Sequence, residues 1–181
     1  MRTYLLPAAV LAAAVLAGCG SAEAPAPAAA LPAAPSAPAS AAPVPQGEPG
    51  EVPPLSGEPT DLTAPTQAGP GNGAAPTTLL TEDVVTGTGP AATPADTVSV
   101  RYTGTLWSDG SVFDSSWSGG DQPVDFPLAG VVPGFAQGIE GMAPGGRRVI
   151  VMPPELAYGT EPPPGYPAGA LVFVVDLVTI S

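Results

Sequence analysis

Nine of the ten aromatic residues lie at Tyr102 or later, and residues 20–78 contain none. Of the 59 residues in that aromatic-free stretch, 14 are Pro. A segment without large apolar anchors buries too little surface to offset the entropy of ordering its backbone. The sequence therefore confines the globular part to residues 79–181. It reads residues 19–78 as an Ala/Pro-rich disordered linker, with runs such as Ala24-Pro25-Ala26-Pro27. Pro biases such a chain towards extended polyproline II. The 103 residues from Leu79 onward suffice for one cooperative core, since a domain of that size buries roughly 65% of its unfolded surface.

Residues 1–18 read as an export signal. Arg2 gives a short positive start, and Leu5 to Ala17 form an apolar run of 13 residues. That run is too short to span a bilayer comfortably. It ends in Leu16-Ala17-Gly18-Cys19, which resembles the lipobox of bacterial lipoproteins. The resemblance implies cleavage before Cys19 and attachment of lipid, palmitate included, to its sulfur. Acyl chains at Cys19 would hold the protein on a membrane. The expected location is the bacterial cell envelope, lipid-anchored and outside the cytoplasm.

The charge balance excludes several classes of function. The net charge is −12, and the four basic residues are Arg2, Arg101, Arg147 and Arg148. Three Arg beyond the N-terminus make a poor nucleic-acid surface. From Leu79 onward three Arg face eleven Asp and Glu, which argues against close docking on anionic lipid. There is no His, so Ser-His-Asp and Cys-His catalysis are excluded, as are His-containing zinc sites. One Cys rules out an intrachain disulfide framework.

From Leu79 the patterning becomes that of strands. Leu79 to Val85 is apolar and β-branched before Gly87-Thr88-Gly89-Pro90 breaks it. Residues 98–103 alternate as a half-buried strand does. Ser108-Asp109-Gly110-Ser111 reads as a hairpin turn, after which Val112-Phe113-Asp114 resumes extended structure. Residues 124–128, 147–152 and 171–180 are further strands, the last being the longest and most apolar. Residues 135–142 are the one expected helix, with Phe135, Ile139 and Met142 on one face. One short helix among about six strands predicts an α+β domain, an antiparallel sheet curved over that helix.

Val100-Arg101-Tyr102-Thr103-Gly104, Phe113-Asp114-Ser115-Ser116, Val132-Pro133-Gly134-Phe135, Gly141-Met142, Ala157-Tyr158-Gly159 and Leu171-Val172-Phe173 occur in that order. In order and approximate spacing they resemble the successive motifs of FKBP-type peptidyl-prolyl cis-trans isomerases. The resemblance covers 79–181 and none of 1–78. It implies a five- to six-stranded antiparallel half-barrel wrapped around one short helix, with an apolar bowl for a proline ring. Carried over residue by residue, it implies catalytic roles for Tyr102, Asp114 and Tyr158. It places Phe113, Val124, Phe126, Val131, Val132, Phe135, Tyr166 and Phe173 against the substrate, Phe135 as the floor. The implied substrates are proline-containing unfolded or partly folded polypeptides, and tacrolimus-like macrolides are implied ligands. No cofactor, metal or nucleic acid is expected, and the protein is expected to be a monomer.

That chemistry suits the composition. An X-Pro bond isomerises by rotation about a partial double bond, with a barrier near ~20 kcal/mol. No bond breaks, so no nucleophile is required. At the twisted transition state the amide loses resonance and its carbonyl loses polarity, which an apolar, water-excluding pocket favours. The Val132 backbone N–H and the Tyr158 hydroxyl would hold the substrate, and Asp114 would face the rotating carbonyl or orient its neighbours. Blander readings stand beside these: Phe126 and Phe173 as ordinary core, Asp114 as a turn carboxylate. Arg147 and Arg148 read as exposed or paired surface, and Trp117 as an exposed anchor for unfolded clients.

Two departures bear on the site. The family usually carries an Arg shortly after Phe-Asp-Ser-Ser that helps hold the pocket Asp. Here that stretch is Trp117-Ser118-Gly119-Gly120-Asp121. Val124 stands where many members have Phe, which thins one wall. These features keep open an alternative, a non-catalytic FKBP-like chaperone or docking module on the cell envelope. The spacing Asp114-x-Ser116-x-Ser118-Gly119, followed by Asp125, is that of an EF-hand loop. Hydroxyls replace two carboxylates there, Asp replaces the bidentate Glu, and strands flank the loop, so it is not read as a calcium site.

Overall fold

The structure, a computed structural model, describes residues 51–181. The expected export signal, Cys19 and the linker up to residue 50 lie outside the described residues. Two short antiparallel strands come first, β1 (Leu55–Ser56) and β2 (Gln67–Ala68). They are followed by β3 (Leu80–Val85), β4 (Thr97–Leu106), β5 (Val112–Ser115) and β6 (Val124–Pro127). Then come the helix α1 (Pro133–Ile139), β7 (Gly146–Met152) and β8 (Leu171–Ile180). Strands β3 to β8 form one antiparallel sheet in the order β3-β7-β8-β4-β5, with β6 also paired to β4. Both β5 and β6 lie along the edge of β4 opposite β8, β5 beside residues 103–105 and β6 beside residues 97–100.

The architecture is the expected α+β one. Strand β8 is buried at each of residues 171–177, because both faces of the sheet are covered there. That explains its unbroken apolar run, where a one-sided strand would alternate. On the inner face Val98, Val100, Tyr102, Ile150, Met152, Leu171, Phe173 and Val175 pack with Phe135 and Ile139 of α1. Helix α1 comes close to β7 through two glycines. A Cβ at Gly138 would lie 2.5 Å from Ile150 Cγ2, and one at Gly134 would lie 2.8 Å from Met152 Cβ.

The helix differs from expectation at both ends. It begins at Pro133, where a fixed φ and a missing N–H suit the first helical position. It stops at Ile139, ahead of Gly141 with φ of 81°. Met142 therefore lies beyond the helix, yet it is buried in the same core.

The outer face brings a larger correction. Residues 51–78, expected to be tether, are built into the domain as a strap across the sheet. Ala68 is fully buried and clusters with Trp107, Val149, Val151, Ala170, Val172 and Val174, while Val52, Leu55 and Ala75 pack against that group. The strap has no aromatic of its own. The sheet supplies the anchor instead, in Trp107, so small strap residues can be ordered around it. Strand β4 shows the result: it alternates as far as Tyr102, and then residues 103–105 are all buried.

Arg147 corrects a second expectation, since it is 1% exposed rather than at the surface. Its guanidinium pairs with Asp176 through two bonds, Nε to Oδ1 at 2.5 Å and Nη2 to Oδ2 at 2.6 Å. Its remaining donors reach the strap, at Pro59 O, Ala64 O and Thr66 Oγ1. Two of these acceptors are backbone carbonyls, which any residue type offers. Burial pushes the Asp176 carboxyl upward and the Arg147 guanidinium opposes the shift. Arg148 behaves as expected of a paired surface residue, bonding Asp83.

Candidate active site

Tyr102 is the hub of an aromatic cluster on the inner face. Its ring lies 5.9 Å from Phe126, 6.3 Å from Phe135 and 6.0 Å from Phe173. Phe135 makes edge contacts with Phe126 at 5.8 Å and Phe173 at 5.3 Å. Edge-to-face packing of this kind places the positive rim of one ring against the negative face of another. Phe113 continues the cluster, 5.5 Å from Phe173. There is room for it only because residue 104 is Gly, where a Cβ would lie 2.7 Å from Phe113 Cζ.

The candidate residues fall into two layers. Phe126, Phe135 and Phe173 are buried in the core and form the lower one. Phe113, Val124, Val131, Val132 and Tyr158 are half-buried and pack against it. Tyr166 joins them through Tyr158, with ring centroids 4.8 Å apart. The structure thus gathers the catalytic and substrate-contacting candidates, although four strands, the turn before α1, α1 itself and the loop before β8 contribute them.

One carboxyl enters this apolar group. Asp114 is 7% exposed, and its Oδ2 accepts a hydrogen bond from the Tyr102 hydroxyl at 2.8 Å. Among the described residues no Arg reaches it. Arg101 instead lies 5.5 Å over the Trp117 ring and donates to Asp121 O. Trp117 is accordingly half-buried under a guanidinium rather than free as the sequence suggested. The side chain that holds Asp114 is Tyr102, a neutral donor. Burial pushes the Asp114 carboxyl above the usual range, against the lowering effect of the Tyr102 hydroxyl and the Ser115 N–H. Burial also raises the Tyr102 hydroxyl, with the Asp114 bond adding to the shift. Tyr158 is pushed up to about 12 by burial and then by the nearby Asp114 charge. Both phenols therefore remain proton donors at neutral pH.

Two donors on residues packed against the cluster have no protein partner among the described residues. Among the described residues neither the Tyr158 hydroxyl nor the Val132 N–H donates a hydrogen bond within the chain. Val132 precedes the first turn of α1, and its carbonyl accepts from the N–H groups of Phe135 and Ala136.

A bulge explains why adjacent residues serve the same site. Gly104 pairs with Asp114 and Thr105 with Val112, leaving Phe113 as the extra residue of β5. An extra residue breaks the strict alternation of a strand, so Phe113 and Asp114 both reach the inner face. Sequence reasoning quoted Ser115 and Ser116 only as part of a motif. The structure gives them work where β5 ends and before β6 begins. Ser116 Oγ accepts from the Tyr102 N–H at 2.9 Å, and Ser115 Oγ donates to Tyr102 O at 3.3 Å. The hydroxyls stand in for a strand partner and fix the backbone of the hub residue. A pair of Ser directly after a site Asp was the available signal.

Residues 89–178 match the family described as FKBP-type peptidyl-prolyl cis-trans isomerase. A probable FK506-binding protein of Corynebacterium glutamicum is 44% identical over 109 residues, which cover 59% of this chain and 91% of that protein. The chain belongs to the FKBP family. It is a peptidyl-prolyl cis-trans isomerase. An FK506-binding protein of Streptomyces anulatus is 42% identical over 113 residues, covering 60% of this chain and 90% of that one. The crystal structure of FkpA from Escherichia coli superposes with a TM-score of 0.53 at 43% identity, covering 57% of this chain and 48% of that one. By sequence the match spans 38% of the curated FkpA chain. The strap lies outside the residues matched to the family.

Proposed function

We propose that the X-Pro bond of an unfolded or partly folded polypeptide binds over the Tyr102–Phe126–Phe135–Phe173 cluster. The proline ring rests on the half-buried layer of Phe113, Val124, Val131 and Val132, with Phe135 beneath. The Val132 N–H and the Tyr158 hydroxyl hold substrate carbonyls on either side of the bond. Asp114, kept in place by Tyr102, faces the carbonyl that turns. The apolar surroundings favour the twisted amide, whose carbonyl is less polar than in the planar form. Tyr166, packed at a tilt against Tyr158, meets the residue before Pro. The observation that carries this reading is a single buried carboxyl set among aromatic rings beside two unpartnered donors.

The location follows from the N-terminal sequence. Cleavage before Cys19 and lipid on its sulfur would tether the isomerase to the outer side of a bacterial membrane, where it would assist folding of exported proteins. The names of its FK506-binding relatives support a macrolide as a competitor for the same bowl.

The test is prolyl isomerisation by the full chain on peptides that vary the residue before Pro. Tyr158→Phe deletes one neutral hydrogen bond and should lower kcat/KM by about 2- to 10-fold, the equivalent of ~0.5–1.5 kcal/mol. Tyr158→Phe combined with Asp114→Ala should lose most of the rate. A folded double variant with full turnover overturns the assigned roles. Labelled palmitate incorporated by the wild type and not by Cys19→Ala tests the anchor.

A further inference from the structure

We propose that Trp107, together with Gln67 and Gly71 of the strap, positions the β4–β5 hairpin and through it Phe113 and Asp114. The proposal rests on the reading that those two residues meet the substrate. Three hydrogen bonds join strap and hairpin. The Gly71 N–H donates to Trp107 O at 2.8 Å, Trp107 Nε1 donates to Gly73 O at 3.3 Å, and Gln67 Nε2 donates to Gly110 O at 3.0 Å. Packing is equally close. A Cβ at Gly71 would lie 2.0 Å from the Trp107 ring, and one at Gly110 would lie 2.7 Å from Pro70 N.

The hairpin needs an outside support because of the bulge. β5 is only four residues long, and its pairing shifts register between Val112 and Asp114. A slip of one residue there would turn Phe113 or Asp114 away from the inner face. Within the hairpin the turn is held by the Ser111 hydroxyl and N–H on Asp109 and by the Leu106 N–H on Ser111 O. Those bonds fix the turn upon itself, and β8 with the Trp107 N–H on Ala170 O holds the β4 side to the sheet, whereas β5 is an edge strand whose only strand partner among the described residues is β4. The strap bonds Trp107 just before the turn and Gly110 within it, so it fixes where β5 starts. Residues of the outer face thereby set the geometry of a site on the inner face.

The test uses four variants of the full chain, assayed well below their melting temperatures. Gly71→Ala displaces the Trp107 ring. Gln67→Ala removes only the bond to Gly110. Thr66→Val loosens the strap at its other attachment, on Arg147, away from the hairpin. Asp114→Ala checks the site reading. Each is followed by kcat/KM and by the ring-proton chemical shifts of Phe113, which report its edge contact with Phe173. Gly71→Ala should lower kcat/KM roughly 10-fold, as misplacement of site groups does, and should move the Phe113 resonances. Gln67→Ala should do both to a smaller degree. Thr66→Val should lower Tm while kcat/KM stays within about twofold and the Phe113 resonances stay in place. A folded Gly71→Ala with Phe113 at its wild-type shifts overturns the proposal, whatever its activity. If Gly71→Ala does not fold, unchanged Phe113 shifts in Gln67→Ala overturn it instead. Full activity in Asp114→Ala would count against the site reading alone, and the Phe113 shifts would still decide the positioning role.

Discussion

Asp114 is the residue at which stability and function pull apart. Burial raises its carboxyl above the unfolded value, so the folded chain holds that proton more tightly than the unfolded chain does. Its contribution to stability is therefore complete below the unfolded carboxylate pKa of ~3.9 and is lost as pH rises through the folded value. Asp114→Asn keeps an acceptor for the Tyr102 hydroxyl and removes the charge. The variant should melt no lower than wild type at pH 7, and its advantage should vanish below about pH 4. Its kcat/KM should fall by roughly 10-fold, which is ~1.4 kcal/mol of transition-state contact. Parallel thermal melts and peptide assays across pH would show a gain in one and a loss in the other. The residue was legible in the sequence because Phe113-Asp114-Ser115-Ser116 is a motif. Its restraint was not: the motif suggests a guanidinium, and the fold supplies a phenol from a neighbouring strand. Only the register of β4 against β5 reveals that pairing.

Among the elements, β8 and the strap mark the limits of what sequence shows. Leu171 to Ile180 could be read as a central strand because burial on both faces writes an unbroken apolar run into the residues themselves. The strap carries no such record. Its order comes from Pro59 and Ala64 carbonyls, one Thr hydroxyl and the ring of Trp107, which lies about forty residues downstream. Backbone acceptors have no residue signature, and an anchor provided by a partner surface cannot be seen in the anchored segment. Arg147 was misread for the same reason, since a cation at the start of a strand is usually solvated. Arg147→Ala would leave the buried Asp176 uncompensated and free the strap. A destabilisation of about 3–5 kcal/mol is expected, measurable by chemical denaturation, while Arg148→Ala, which opens the more exposed Asp83 pair and frees the Gly138 and Glu140 carbonyls, should cost less, about 1–3 kcal/mol.

For the molecule as a whole, residues 51–78 belong to the same folding unit as residues 79–181. A chain cut to 79–181 would retain every family motif and still expose the apolar outer face of Val149, Val151, Val172, Val174 and Trp107. Contiguous apolar surface of that kind promotes association. Relative to 51–181 it should melt lower by about 10 °C or more, since ~1 kcal/mol corresponds to roughly 4–8 °C in a domain of this size. It should also elute as aggregate in size-exclusion chromatography. Equal melting temperatures and monomeric elution of both would show the strap to be dispensable for folding.

The way the three described arginines are engaged also shapes how a client arrives. Arg147 is internal, Arg148 is closed on Asp83, and Arg101 is laid over Trp117. Most carboxylates among the described residues, by contrast, face solvent. An approaching chain thus meets a predominantly acidic surface, with no cluster of cations among the described residues to orient it. Lys- and Arg-rich segments are drawn in over a range set by the Debye length, about 8 Å at physiological ionic strength, and acidic ones are held off. The first sorting of clients then happens in the surrounding ion atmosphere, before any proline reaches the bowl.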